Sequence, residues 1–141
     1  MLRTIACATL AFGLASSAAG AAATCTGADP AITEVGIAGV TPAGGVDQYH
    51  VAGTVVNRGS QNQASNVLQF VDILQNGQRL DSKSVPPLAA GQSFTFTYVA
   101  LRSTEAGKGT TTLHFQLRMR QPSPGGSENC STDDDGNSVT F

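Results

Sequence analysis

Asp133-Asp134-Asp135-Gly136-Asn137 is the densest run of chemically capable side chains in this 141-residue chain. Oxygen ligands at alternating positions around a glycine turn suit a hard cation. Asp133, Asp135 and Asn137 are therefore a candidate calcium set. The run is not an EF-hand, because its glycine arrives too early and no glutamate follows at the distance a bidentate ligand needs. A solvated acidic turn is the alternative reading of the same residues. The two histidines, His50 and His114, fall at outward positions of different sheets, so they are not expected to share a metal. Serine, histidine and aspartate all occur, but no nucleophile elbow accompanies them. The expectation is no catalysis and no cofactor.

The cysteines carry a different chemistry. The chain opens with Leu2-Arg3, an apolar run from Ile5 to Leu14, and then alanine, serine and glycine. That is the pattern of a secretory signal peptide over residues 1–23, leaving a domain of 24–141. The run is too short and too poor in bulky side chains for a spanning helix, so no stable membrane insertion is expected after cleavage. Removing it takes away Cys7 and leaves Cys25 and Cys130 at the two ends of the domain. An even pair in an exported chain argues for a disulfide. Closing a loop of ~100 residues would stabilise the fold by about 4–5 kcal/mol in the loop-entropy picture. The protein would then be periplasmic or extracellular.

These residues must be held by strands. The formal net charge is −2 with no tryptophan, and the absence of a basic stripe argues against a nucleic-acid partner. Thr112 to Arg120 alternates strictly: Leu113, Phe115, Leu117 and Met119 on one face, His114, Gln116, Arg118 and Arg120 on the other. Phe94, Phe96 and Tyr98 alternate with threonines in the same way. Such alternation means one buried and one wet face. Tyr49, Val51 and Val55 point inward from the second strand. Thr33 to Ile37 reads as the first strand, with Val35 and Ile37 inward. Asn76-Gly77 suits a type I′ hairpin, and Pro86-Pro87 must end the strand before it. Asn137 to Phe141 reads as the last. The sum is about seven strands in an all-β, immunoglobulin-like antiparallel sandwich.

The same alternation exposes one surface. If Val71 and Ile73 face inward, then Leu68, Phe70 and Leu74 face outward around Asp72. His114, Gln116, Arg118 and Arg120 would lie beside them, with Asp72 in reach of Arg118. An apolar row next to basic groups is a candidate contact surface. The alternatives are cover by the Gln61–Asn66 loop or a bulge that shifts the register.

Four segments together resemble a known family. Val55-Val56-Asn57-Arg58-Gly59 is similar to the "V-x-N-x-G" signature of CARDB domains, the cell-adhesion-related domains of bacteria. Val71 to Gly77 resembles that family's central strand and hairpin. Val85-Pro86-Pro87-Leu88-Ala89-Ala90-Gly91-Gln92-Ser93 resembles its "V-P-x-L-A-A-G-x-S" segment, and Gly136-Asn137-Ser138 the end of its acidic stretch. The chain departs from the family in its two cysteines, in the Gln121–Gly126 insertion and in Asp133-Asp134-Asp135 where a glutamate is usual. The resemblance implies an immunoglobulin-like binding or spacer module outside the cell membrane, a monomer or weak dimer that contacts a protein or surface ligand. A subunit of a cell-envelope assembly and a small periplasmic enzyme or inhibitor are the alternatives.

Overall fold

A computed structural model describes residues 26–105, 107–120 and 129–141. The signal segment 1–23, Cys25 and the Gln121–Gly126 insertion lie outside the described residues. Seven strands are present: β1 (Pro30–Ala43), β2 (Val46–Asn57), β3 (Leu68–Gln75), β4 (Gln78–Val85), β5 (Ser93–Ser103), β6 (Thr112–Arg120) and β7 (Gly136–Thr140). They build two antiparallel sheets, one ordered β1-β2-β5 and the other β4-β3-β6-β7.

The inward rows meet as the alternation requires. Ile32, Val51, Val55, Phe96 and Ala100 from the first sheet pack on Val71, Ile73, Val85, Leu113, Phe115 and Leu117 from the second. The Phe96 and Phe115 rings lie 5.6 Å apart and tilted by 33°, a favourable arrangement for two ring quadrupoles. Gly53 makes room for this contact. A Cβ placed there would come within 2.2 Å of the Phe96 ring.

The first strand is much longer than Thr33 to Ile37. It runs from Pro30 to Ala43 and joins β2 through Gly44-Gly45, both at positive φ (58° and 90°). Two register shifts, at Ile32/Glu34 and Ile37/Gly39, break its alternation. A bulge adds one residue and so moves the next apolar side chain to the other face. Ile37 pairs with inward-facing Val51 yet stays 41% exposed. The last strand ends at Thr140, but Phe141 still exchanges both backbone hydrogen bonds with Thr111 and stacks on Tyr49 at 4.2 Å.

One buried amide ties the ends of several segments together. Asn57, the last residue of β2, is fully buried. Its Oδ1 accepts from the Asp29 and Gly59 amides (2.9 and 3.0 Å). Its Nδ2 donates to the carbonyls of Gln61 and Leu88 (2.9 and 3.0 Å). Its backbone pairs with Gln92 and Gly91. Gly59 completes the turn, since a Cβ there would sit 2.1 Å from the Gly27 carbonyl oxygen. The two most recognisable segments of the sequence are thus one physical joint, with the Val-x-Asn-x-Gly side chain docked into the Leu-Ala-Ala-Gly loop.

A second buried amide pair closes the same end. Gln63 and Gln69 exchange side-chain hydrogen bonds at 3.0 and 2.8 Å, and Gln63 Oε1 also accepts from the Leu88 amide. Gln63 thus turns inward from the Gln61–Asn66 loop, whose other residues are exposed.

Asn57→Ala leaves the Asp29 and Gly59 amides without their acceptor and takes a donor from the Gln61 and Leu88 carbonyls, the latter still accepting from Gln63, each lost bond costing on the order of 1 kcal/mol. Urea unfolding should show a loss of about 3–5 kcal/mol. A loss below about 1 kcal/mol would mean that water replaces the amide and that it is not the joint of the fold.

Candidate functional site

The outer face of the four-stranded sheet carries the expected row. Leu68 pairs with Arg120, Phe70 with Arg118, Asp72 with Gln116 and Leu74 with His114. All eight residues therefore share one face, with the inward set Gln69, Val71 and Ile73 buried behind them. Within the row the side chains are not equally open. Leu68 is 55% exposed, and His114, Gln116 and Arg120 are also exposed. Phe70 and Leu74 are half-buried, and Arg118 stacks over the Phe70 ring at 4.9 Å from its centroid.

Asp72 is the centre of this face. Arg118 Nε and Nη2 donate to its two oxygens at 2.6 and 3.0 Å, the fork-on-fork geometry that suits a guanidinium to a carboxylate. Ser82 Oγ donates to Oδ1 at 2.6 Å, and Arg79 stands 3.6 Å from Oδ2. The Arg118 hydrogen bond, with help from Ser82 and the charges of Arg118 and Arg79, outweighs burial and holds the Asp72 carboxyl below its ordinary pKa.

Sequence reasoning found the Asp72–Arg118 pair but not Ser82. The two-residue Asn76-Gly77 turn sets Gln75 opposite Gln78 and Leu74 opposite Arg79. Simple counting from there places Asp81 opposite Asp72, a like-charge pair that is unfavourable across strands. A register shift between Ile73 and Leu74 moves β4 by one residue and brings Ser82 to Asp72. Asp81 turns to Lys83 at 2.7 Å. The bulge residue, Leu80, is left 46% exposed.

The three side chains of the candidate calcium set have separate surroundings. Asp135 is buried, and Asn129 Nδ2 donates to both of its oxygens at 2.8 and 3.1 Å. Asp133 is exposed, and the side-chain oxygen of Asn137 accepts from the next amide. Among the described residues, no three His, Cys, Asp or Glu side chains are arranged to hold a metal ion. The run serves as a joint. The Asp134 carbonyl accepts from Ile32 of β1, the Asp135 carbonyl from Leu117 of β6, and Asp134 pairs with Arg58 at 3.2 Å. Burial, helped by the charges of Asp134 and Asp29, raises the Asp135 pKa against the opposing Asn129 hydrogen bond.

The remaining candidates separate. His50 lies on β2 and His114 on β6, in different sheets, and His50 Nε2 is 3.1 Å from Thr41 Oγ1. Cys130 donates its backbone amide to Ala28, and the next residue, Ser131, donates to Asp29. The Cys130 loop is therefore laced to the segment that directly follows Cys25. A shallow cavity of ≈ 390 Å³ opens over β1 and β2, with Glu34 its only titratable lining residue.

The chain matches no known protein family, no curated protein and no solved structure.

Two charge predictions follow from opposite shifts. Asp72 has a depressed folded pKa, so its contribution is present above the unfolded value near 3.8 and is lost as pH falls through the folded value. Asp72→Asn should cost about 1–2 kcal/mol at pH 7, a figure reduced because Arg118 is partly solvated. In urea titrations the gap between the variant and wild type should narrow below pH 4; a gap unchanged down to pH 2 would refute the assignment. Asp135 has a raised folded pKa, so it destabilises the fold at neutral pH and is relieved on protonation. Asp135→Asn should therefore raise the melting temperature at pH 7 and lose that advantage as the medium becomes acidic.

Proposed function

We propose that this chain is an exported bacterial binding module of the CARDB type, immunoglobulin-like in topology, that contacts a protein or surface ligand through the outer face of β3 and β6. The reading rests on one observation above all. That face presents Leu68, Phe70 and Leu74 in a row beside a fixed guanidinium. Arg118 is held by Asp72 and stacked on Phe70, so little side-chain freedom remains to be lost on contact. An apolar row, open at Leu68 and half-buried at Phe70 and Leu74, flanked by an oriented arginine is a composition that binding surfaces favour.

Three further points support the reading. The division of strands between the sheets and the connection of β2 to β3 across them suit an immunoglobulin-like sandwich. The Val-x-Asn-x-Gly and Leu-Ala-Ala-Gly segments that carry the resemblance are in mutual contact through Asn57. The Cys130 loop bonds to Ala28, which suits a Cys25–Cys130 disulfide and an oxidising compartment.

Expression of the full chain in a bacterial host tests the export half of the proposal. The expected product lies outside the cytoplasm, lacks residues 1–23 and weighs two hydrogens less than its dithiol form. A cytoplasmic, uncleaved protein with all three thiols titratable would overturn it. The contact half is tested by a photo-crosslinking side chain at Leu68 in envelope preparations. The adduct should form with the parent protein and disappear in Phe70→Ser, whose melting temperature serves as the control for folding. Equal adducts from both proteins would remove this face as the site.

A further inference from the structure

The sheet edges carry an inference that goes beyond the outer-face reading. Among the described residues four strands end a sheet: β1, β5, β4 and β7. An edge strand offers unpaired amides and carbonyls to any other strand, and proteins block this with bulges, charge, proline or brevity. Three of the four edges here are blocked. β1 has two register shifts and Pro42. β4 carries Arg79, Asp81 and Lys83 within eight residues. β7 is only five residues long.

β5 has no bulge, no proline and no brevity, and its one charged residue, Arg102, stands next to its last position. It runs eleven residues, Ser93–Ser103, and pairs with β2 without a register shift. No charged side chain or proline falls between Ser93 and Leu101. Among the described residues it ladders on one side only. Its outward side chains are Thr95, Thr97, Val99 and Leu101, with Val99 46% and Leu101 69% exposed.

We infer that β5 is a self-association edge, and that its partner is β5 of a second copy of this chain, laid antiparallel about a two-fold axis near Tyr98. The lack of charge from Ser93 to Leu101 selects this partner. A strand charged along its length meets like charges in its own copy, whereas the one charge of β5, Arg102, falls opposite Phe94 of the second copy. With the axis near Tyr98, Thr97 lies opposite Val99 of the second copy, and Thr95 opposite Leu101. Pairs of β-branched and apolar residues of this kind stabilise antiparallel strands. The product is one six-stranded sheet, β1-β2-β5-β5-β2-β1. Its new edges are the bulged β1 strands, so assembly closes at the dimer and does not grow into a filament.

Sedimentation equilibrium of the mature, oxidised protein over a micromolar-to-millimolar series tests the inference. The wild type should pass from monomer to dimer, with amide exchange along β5 slowing as the dimer fills. Thr97→Lys sets ammonium groups against each other across the axis and should weaken the dimer by at least about tenfold. Val99→Lys, which like Thr97 lies diagonally across the axis from its own copy and is 46% exposed, should do the same and reads the edge if Thr97→Lys fails to fold. Phe70→Ser should dimerise as the wild type does, because its face is on the other sheet. A wild type that stays monomeric throughout overturns the inference, as does a dimer indifferent to both lysines. A dimer lost in Phe70→Ser would transfer self-association to the β3–β6 face.

Discussion

The Asn57 amide, sealed from water at the end of β2, is the constraint on which the rest of the sandwich depends. Its four side-chain hydrogen bonds reach Asp29, Gly59, Gln61 and Leu88. Those residues belong to the segment entering β1, the turn leaving β2 and the loop that feeds β5. A buried amide is costly unless every donor and acceptor is matched. The chain therefore has one arrangement of these segments that avoids the cost, and it fixes where β5 begins relative to β2. Gly59 is part of the same constraint, because only the absence of a Cβ lets the turn approach Gly27.

From that joint the two faces of the domain acquire different characters. The Gln63–Gln69 pair occupies the inner end of β3, so the apolar core starts at Val71 and not at the first residue of the strand. The outer side of β3 is then free to hold Asp72 and Phe70. Asp72 is almost as buried as the core residues behind it, at 7% exposure, because Arg118, Arg79 and Ser82 crowd it. The face is consequently rigid where it is charged and open where it is apolar, at Leu68. Rigidity comes from β4 as much as from β6, since the bulge at Leu80 delivers a hydroxyl where a carboxylate would otherwise stand.

Regular alternation made β2, β5 and β6 legible from the residues alone. It placed Phe70, Asp72 and Arg118 on one face because nothing interrupts the period between Leu68 and Leu74 or between Thr112 and Arg120. The long β1 was opaque for the opposite reason. Its two bulges reverse the facing of its side chains, and Gly36, Gly39 and Ala38 supply little pattern to begin with. Ser82 escaped because a single added residue in β4 has no signature in the sequence. The acidic run left two readings open, a ligand set and a turn, because composition does not show that a turn directs neighbouring side chains apart. Asp135 goes inward to Asn129, Asp134 to Arg58, and Asp133 to solvent.

The distribution of charge also bears on how this domain meets other molecules. Arginine, aspartate and lysine are concentrated on β4, β3 and β6, whereas β5 carries a single charge, Arg102 next to its end, and the outer side of β2 a single histidine, His50. A sheet edge is kept soluble by charge only where charge is present, so the two sheets differ in what they can accept. The four-stranded sheet is guarded at its edges and offers side chains from its face. The three-stranded sheet offers backbone from its β5 edge. Contacts made through these two surfaces need not compete, because β5 stands across the core from β3 and β6. A domain built this way can present the β3–β6 face of each copy outward while the β5 edges are occupied.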